Sequence, residues 1–288
     1  MRRVTLSAQL ATGLLAVSVS AQTSAPADLS AMLAEVGAHV EQYYARARSI
    51  VCVETVRLQP LRADLAPDGF PRRLVYELRV SWDPADPAID APSEATVLRQ
   101  ILTVDGKPPR PKDTPGCLDP KPVSPEPLAF LLPARRGEYE FSWVGPGRTD
   151  GHAGVMLDYK SASQRPPEIV WKDECVSVDL PGMTRGRVWI DPTSHDVLRL
   201  DERLTGMYEL RVPREHVRHG ESPWMMIERA DTSIHYRPVT FHDPDETLML
   251  PASIESFTII RNSGVPRLRT VQEFSNYRRF ITGGRLVR

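Results

Sequence analysis

The chain has 288 residues, with 36 Lys and Arg against 37 Asp and Glu for a formal charge of −1. That balance argues against a nucleic-acid or anionic-membrane partner held by bulk electrostatics, while the length is ample for one large core. Three cysteines permit at most one intramolecular disulfide, and none of their spacings is that of a zinc ligand pair.

The first residues read "MRRVTLSAQLATGLLAVSVSAQ". Arg2 and Arg3 form a positive start, residues 10–19 are mostly apolar, and Val19-Ser20-Ala21 supplies small residues before Gln22. This layout predicts a secretory signal peptide over 1–21 and an exported, periplasmic or extracellular, mature chain. The apolar run is shorter than the ~20 residues of a spanning helix, so no transmembrane segment is expected in the mature chain. Removing Arg2 and Arg3 with no acid takes the charge from −1 to −3.

Residues 22–288 read as a single domain. Leu29, Met32, Leu33, Val36, Val40, Tyr43 and Tyr44 recur at spacings of three and four, which predicts an amphipathic helix over 29–48 with Asp28 as N-cap. Strands dominate thereafter. "RRLVYELRVSW" (72–82) alternates cleanly, and 97–104, 138–144, 153–160, 175–180, 186–190, 197–204, 232–241, 253–261 and 268–280 follow in the same style. Short Gly, Pro and Asp turns between them describe an antiparallel sheet. Residues 106–127 carry eight prolines and read as a stiff insertion, since proline supplies no N–H to helix or ladder. "EPLAFLLPARRG" after it predicts a short helix ended by Pro133, and 211–226 predicts a surface loop.

Asp191, Asp196 and Asp201 crowd around His195 in "GRVWIDPTSHDVLRLDERL". Asp191-Pro192-Thr193-Ser194 is type I turn chemistry between two strands, so the cluster reads as a hairpin tip rather than a catalytic or metal centre. His216 and His219 stand three apart, but Pro213, Gly220 and Pro223 oppose the helix they would need to share a metal. His235 and His242 flank a strand, and Asp243-Pro244-Asp245-Glu246 reads as a turn without the regular alternation of a calcium loop. No GxSxG, SxxK or P-loop occurs; "GPGRTDG" (145–151) reads as a Gly-rich turn. Glu54, Glu77, Asp158 and Glu273 fall on strands, where any two could be neighbours. Catalytic, metal and cofactor sites are therefore assigned to no residue. Cys52 lies in an apolar alternating run and reads as a buried thiol; Cys117, in the proline-rich loop, and Cys175 are the candidate disulfide, because a long loop without regular structure gains most from being pinned. Closing its ~58-residue loop would stabilise by roughly 4 kcal/mol.

One amphipathic helix followed by antiparallel strands, with Gly186, Val188, Trp189, Ile190 and Asp191 turning into Val197, Leu198 and Leu200, resembles the LolA, LolB and LppX-like periplasmic lipoprotein carriers. "LPASIESFTIIR" and "RTVQEFSNYRRF", with Tyr277 and Phe280, look like the closing strands of such domains. The resemblance covers about fifty residues, mostly turn and core positions, and so speaks to fold more than to function. It implies a mainly β (α+β) fold: a strongly curved antiparallel sheet, an incomplete, half-open β-barrel, with the N-terminal helix across its concave face. Its implied partner is a lipid or lipoprotein acyl chain. Candidate pocket residues are Leu33, Val36, Val40, Tyr44, Trp82 and Trp189. Three readings stay open: a non-catalytic envelope protein binding an apolar or lipidated ligand, a protein-interaction or structural envelope module whose hollow the helix fills, and a hydrolase built on histidine and carboxylate.

Overall fold

A computed structural model of the chain describes residues 29–47, 49–82, 95–111, 113, 126–172, 175–217, 222–242, 245–262 and 267–279. The expected signal peptide, Asp28, Cys117, most of the proline-rich insertion, His219 and Phe280 lie outside them.

Helix α1 (Leu29–Arg46) leads into β1 (Ile50–Leu61), β2 (Arg72–Trp82) and β3 (Ala95–Val104). A 3-10 helix (Glu126–Leu131) and α2 (Pro133–Arg136) precede β4 (Tyr139–Thr149) and β5 (His152–Ser161). Next come β6 (Glu168–Lys172), β7 (Cys175–Asp179), β8 (Thr184–Ile190), β9 (Val197–Leu204) and β10 (Tyr208–Arg211). After a 3-10 turn (Arg214–His216), three long strands close the chain: β11 (Trp224–His242), β12 (Asp245–Arg261) and β13 (Arg267–Arg279).

Eleven strands form one curved antiparallel sheet in the order β3-β2-β1-β13-β12-β11-β9-β8-β5-β4, with β10 added to β11. Its end strands β3 and β4 do not pair, so the barrel stays open. The last strand, β13, lies between β1 and β12 and joins the N-terminal meander to the rest. The expected half-open barrel with one N-terminal helix is the observed architecture.

Alternation decides which face is dry. The inward residues Ile50, Cys52, Leu78, Leu157, Val188, Ile190, Ile234, Leu250, Ile254 and Phe274 form one buried cluster with Leu33, Val36, Val40 and Tyr43 of α1. Leu128, Phe130 and Leu131 of the first 3-10 helix join the same cluster. They supply a second cover on the hollow that the apolar pattern alone does not reveal. A separate hairpin, β6–β7, seals a satellite core around Leu210, Met225 and Ile227.

Several local expectations need correction. Pro133 starts α2 instead of ending a helix, because its fixed φ and missing N–H suit the first helical turn. Gly145, at φ 129°, absorbs a bulge that lets β4 run on to Thr149, and the turn is the two residues Asp150-Gly151. Trp224-Met225-Met226 begin β11 rather than ending a loop, with Met225 buried beneath the satellite hairpin.

Candidate functional site

The space between α1 and the sheet is the hollow in which the candidate pocket residues were expected. Leu33, Val36 and Val40 are buried on the sheet-facing side of α1, and Tyr44 packs part-buried at its edge. Trp189 does not join them. Its neighbours Val188 and Ile190 point inward, so period-two alternation places Trp189 on the outer face, where the Arg199 guanidinium lies 4.8 Å from its ring centre. The Trp82 side chain is outside the described set, although its backbone ends β2.

The hollow is closely filled. A cavity of about 40 Å³ remains at the C-terminal end of α1, lined by Tyr43, Ala47, Cys52, Leu78, Leu250 and Phe274 among others. A second, of about 20 Å³, lies beneath His39 and Asp196. Phe130 stacks on Tyr159 at 4.2 Å between ring centres and meets Tyr139 edge-on at 5.6 Å, which closes the β4–β5 end. Burial pushes the Cys52 thiol up to about 12, with Glu54 adding to the shift, so this cysteine is an inert core residue.

Helix α1 is fastened by a few polar contacts at its edges. His39 Nε2 lies 2.7 Å from Asp196 Oδ1, tying mid-helix to the β8–β9 turn. Burial alone would raise the Asp196 carboxyl; hydrogen bonds from His39 and Ser194 reverse this and hold it below its ordinary range. At the helix end, Arg279 Nη2 donates to the Arg46 carbonyl at 2.7 Å, and both arginines face Glu246. Gly37 lets α1 approach the second cover, since a Cβ there would stand 3.0 Å from the Leu131 carbonyl oxygen. The β8–β9 turn is thus a structural corner: Asp191 Oδ1 accepts from the N–H of Thr193 (2.7 Å) and Ser194 (3.1 Å), and Asp196 serves α1. His39 was not singled out from sequence, because nothing local marks a helical histidine as the partner of a residue 157 positions away.

Beyond the end of α1 the inward face turns polar at one point. Glu54 is fully buried and accepts a two-pronged contact from Arg99, at 2.7 and 2.8 Å, and a hydrogen bond from Gln272 at 2.8 Å. The Arg99 guanidinium also covers the Tyr76 ring at 3.9 Å. The signal for this plug is in the sequence: Glu54 and Arg99 occupy inward positions of otherwise apolar alternations, Cys52-Glu54-Val56 and Val97-Arg99-Ile101.

The four strand carboxylates that might have paired with one another each face an arginine instead. Glu54 meets Arg99, Glu77 meets Arg79 and Arg278, Asp158 meets Arg187, and Glu273 meets Arg57. The hydrogen bond from Arg79 leads the effects that hold the Glu77 carboxyl below its ordinary range. His216 stacks on Trp171 at 4.4 Å, a packing role. Among the described residues no three His, Cys, Asp or Glu side chains converge as metal ligands.

The outer face carries an open trough of about 1050 Å³ lined by alternating arginines and acids with Trp189 and Phe257. Within it, His235 Nδ1 lies 2.6 Å from Asp150 and Nε2 lies 3.3 Å from Ser233 Oγ. This has the composition of a nucleophile triad but not its polarity. The Ser233 hydroxyl donates to Asp201 at 2.7 Å, and Asp201 is itself clamped by Arg199. Ser233 sits mid-strand between β9 and β12, where ladder bonds occupy the backbone N–H groups an oxyanion would need.

One part-buried acid sets a pH dependence. Tyr159 Oη donates to Glu202 at 3.0 Å, and burial raises the Glu202 carboxyl above its ordinary value despite that bond. The folded state therefore holds this proton more tightly than the unfolded state. The associated stability is full below the unfolded pKa and is lost as pH rises through the folded one. Glu202→Gln keeps an acceptor for Tyr159 and removes the charge. The expected result is a Tm equal to the parent's near about pH 4 and above it near about pH 7, read by thermal unfolding across pH.

The fold and this site define a half-open antiparallel barrel plugged by a helix. No protein-family model matches the chain, and no curated protein matches it. Among solved structures, it is similar to a domain from Vibrio parahaemolyticus assigned provisionally to outer membrane lipoprotein sorting (11% identity, 87% of this chain and 93% of that one, TM-score 0.39). It is also similar to a DUF1329 family protein from Desulfovibrio piger (11% identity, 88% and 94%, TM-score 0.43). A LolA superfamily protein from Nitrosomonas europaea is a third (9% identity, 86% and 94%, TM-score 0.35). At these TM-scores the likenesses carry no weight for fold or function; the fold rests on the strand pairing above.

Proposed function

We propose that this is an exported, non-catalytic envelope protein that takes up an apolar or lipidated chain between α1 and the sheet. The observation that carries the reading is the character of the hollow: its larger cavity is walled by apolar side chains, and it is closed by α1, whose polar fastenings lie at its edges, with the 126–131 segment as second cover. The lack of oxyanion donors around Ser233 supports the non-catalytic part. Uncovering Leu33, Val36, Val40 and Tyr43 costs roughly 6–12 kcal/mol at 1.5–3 per side chain. Each buried CH₂ of a ligand returns about 0.8 kcal/mol, so displacement needs on the order of ten methylenes. Long acyl chains qualify and short ones do not.

The test is the protein expressed with its own N-terminus and purified from the periplasm. Native mass spectrometry should find the leader over 1–21 removed and an acyl-bearing lipid bound. A fluorescent hexadecanoyl probe should bind, with hexadecanoate competing and octanoate failing. Lipid-free protein that ignores the hexadecanoyl probe overturns the reading. It would favour a filled structural module, for which the smallness of the two cavities, about 40 and 20 Å³, speaks: each has room for a few water molecules at most.

We also propose the Cys117–Cys175 disulfide, with Cys52 as the buried free thiol. Thiol titration of the unfolded, unreduced protein should count one thiol per chain; three would refute the pairing.

A further inference from the structure

The turn joining β1 to β2 holds Phe70 at 97% exposure, the highest among the exposed large apolar side chains described, with Leu65 beside it at 45%. Water ordinarily drives such side chains inward, and here the backbone prevents it. The Arg62 N–H donates to the Ala66 carbonyl (2.9 Å), the Asp68 N–H to the Pro60 carbonyl (2.8 Å), and Gln59 Nε2 to the Gly69 carbonyl (3.3 Å). Pro67 and Pro71 stiffen the loop, and Gly69 takes φ 72°. Leu65 itself adopts φ 65°, a left-handed conformation that is unfavourable for leucine. A rigid, partly strained loop thus presents two large apolar groups to solvent.

Around them the charge is locally positive. Arg62, Arg72, Arg73, Lys107 and Arg267 gather at this end of the sheet through the pairings Leu58↔Arg72, Leu61↔Arg267 and Leu74↔Val104. They outnumber the three acids of the same end, Asp64, Asp68 and Asp105; Asp64 pairs with Arg62 at 3.6 Å, and Asp105 accepts the Arg73 backbone N–H at 2.8 Å. The near-neutral chain as a whole gives no bulk attraction, but this tip is both apolar and basic.

We propose that the β1–β2 turn docks on an anionic phospholipid bilayer, Phe70 and Leu65 entering the interface while the surrounding arginines meet lipid phosphates. Charge complementarity selects this occupant over a neutral surface, since basic groups beside an exposed apolar wedge are what an anionic interface binds. The proposal does not require the hollow to carry a ligand.

Flotation with vesicles of phosphatidylethanolamine and phosphatidylglycerol, against vesicles of phosphatidylcholine alone, tests it. The full chain should float with the anionic vesicles and not with the neutral ones. Phe70→Ser should reduce partitioning about tenfold, and Arg72→Gln with Arg73→Gln should reduce it and flatten its salt dependence. Unchanged circular dichroism and Tm in Phe70→Ser, expected for so exposed a side chain, keep the comparison free of folding effects. Failure of the parent chain to float, or equal flotation of parent and Phe70→Ser, overturns the proposal. So does size-exclusion data in which Phe70→Ser merely converts a dimer to a monomer, because the wedge would then serve a second copy of this chain.

Discussion

Glu54→Ala is expected to destabilise the fold by about 3–5 kcal/mol, read as a shift in the urea midpoint, the largest effect of any single polar substitution proposed for this chain. The reason lies in what remains. Arg99 keeps its positive charge at 11% side-chain exposure with its carboxylate gone, and the Gln272 amide loses its acceptor. Solvating Arg99 means moving it off the Tyr76 ring, which uncovers a residue that is now 1% exposed. A companion variant separates charge burial from shape. Replacing Glu54 by Leu and Arg99 by Met together removes both charges, and stability should return to near or above the parent value. If Glu54→Ala alone costs under about 1 kcal/mol, the plug is wet and the inward face is not a continuous core at this point.

The second large effect falls on a residue with no side chain. A Cβ at Gly186 would stand 2.1 Å from the Asp201 carbonyl oxygen and 2.6 Å from the Tyr159 ring. The first obstacle is backbone of the neighbouring strand and cannot rotate away. Displacing the second disturbs the Phe130 stack and the hydrogen bond to Glu202. Gly186→Ala is therefore expected to cost about 3 kcal/mol or more and to lower Tm accordingly. Gly147 is the control. A Cβ there would also be close to a neighbour, 2.6 Å from Met156 Sδ, but a thioether at the end of a flexible chain can move. Gly147→Ala should cost under about 1 kcal/mol, and equal losses at the two positions would refute the reasoning.

These two sites show what kind of information the linear chain holds. Glu54 stood out only as one of four carboxylates on strands, yet its inward phase was readable by counting from Cys52. Its partners were not, because Arg99 and Gln272 lie on strands whose register to β1 is set across the sheet. Gly186 begins the Gly-x-Val-Trp-Ile-Asp stretch, where no local pattern demands a glycine. The close Tyr159 ring supplies the reason.

Periodicity determined the helix over its first eighteen residues, the strand-rich remainder and the Asp191 corner, because each rests on chemistry between neighbours a few positions apart. It also placed Leu33, Val36 and Val40 inward. Trp189 went to the wrong side because it sits inside an apolar run, Val188-Trp189-Ile190, where hydrophobicity does not distinguish the faces and only pairing to β5 and β9 does. Likewise, whether the hollow is empty or filled depended on the segment 126–136 folding back beneath α1, on His39 meeting Asp196, and on β13 inserting between β1 and β12. Those contacts join residues far apart in the chain. Their existence is a property of packing volume and strand order, which no local pattern encodes.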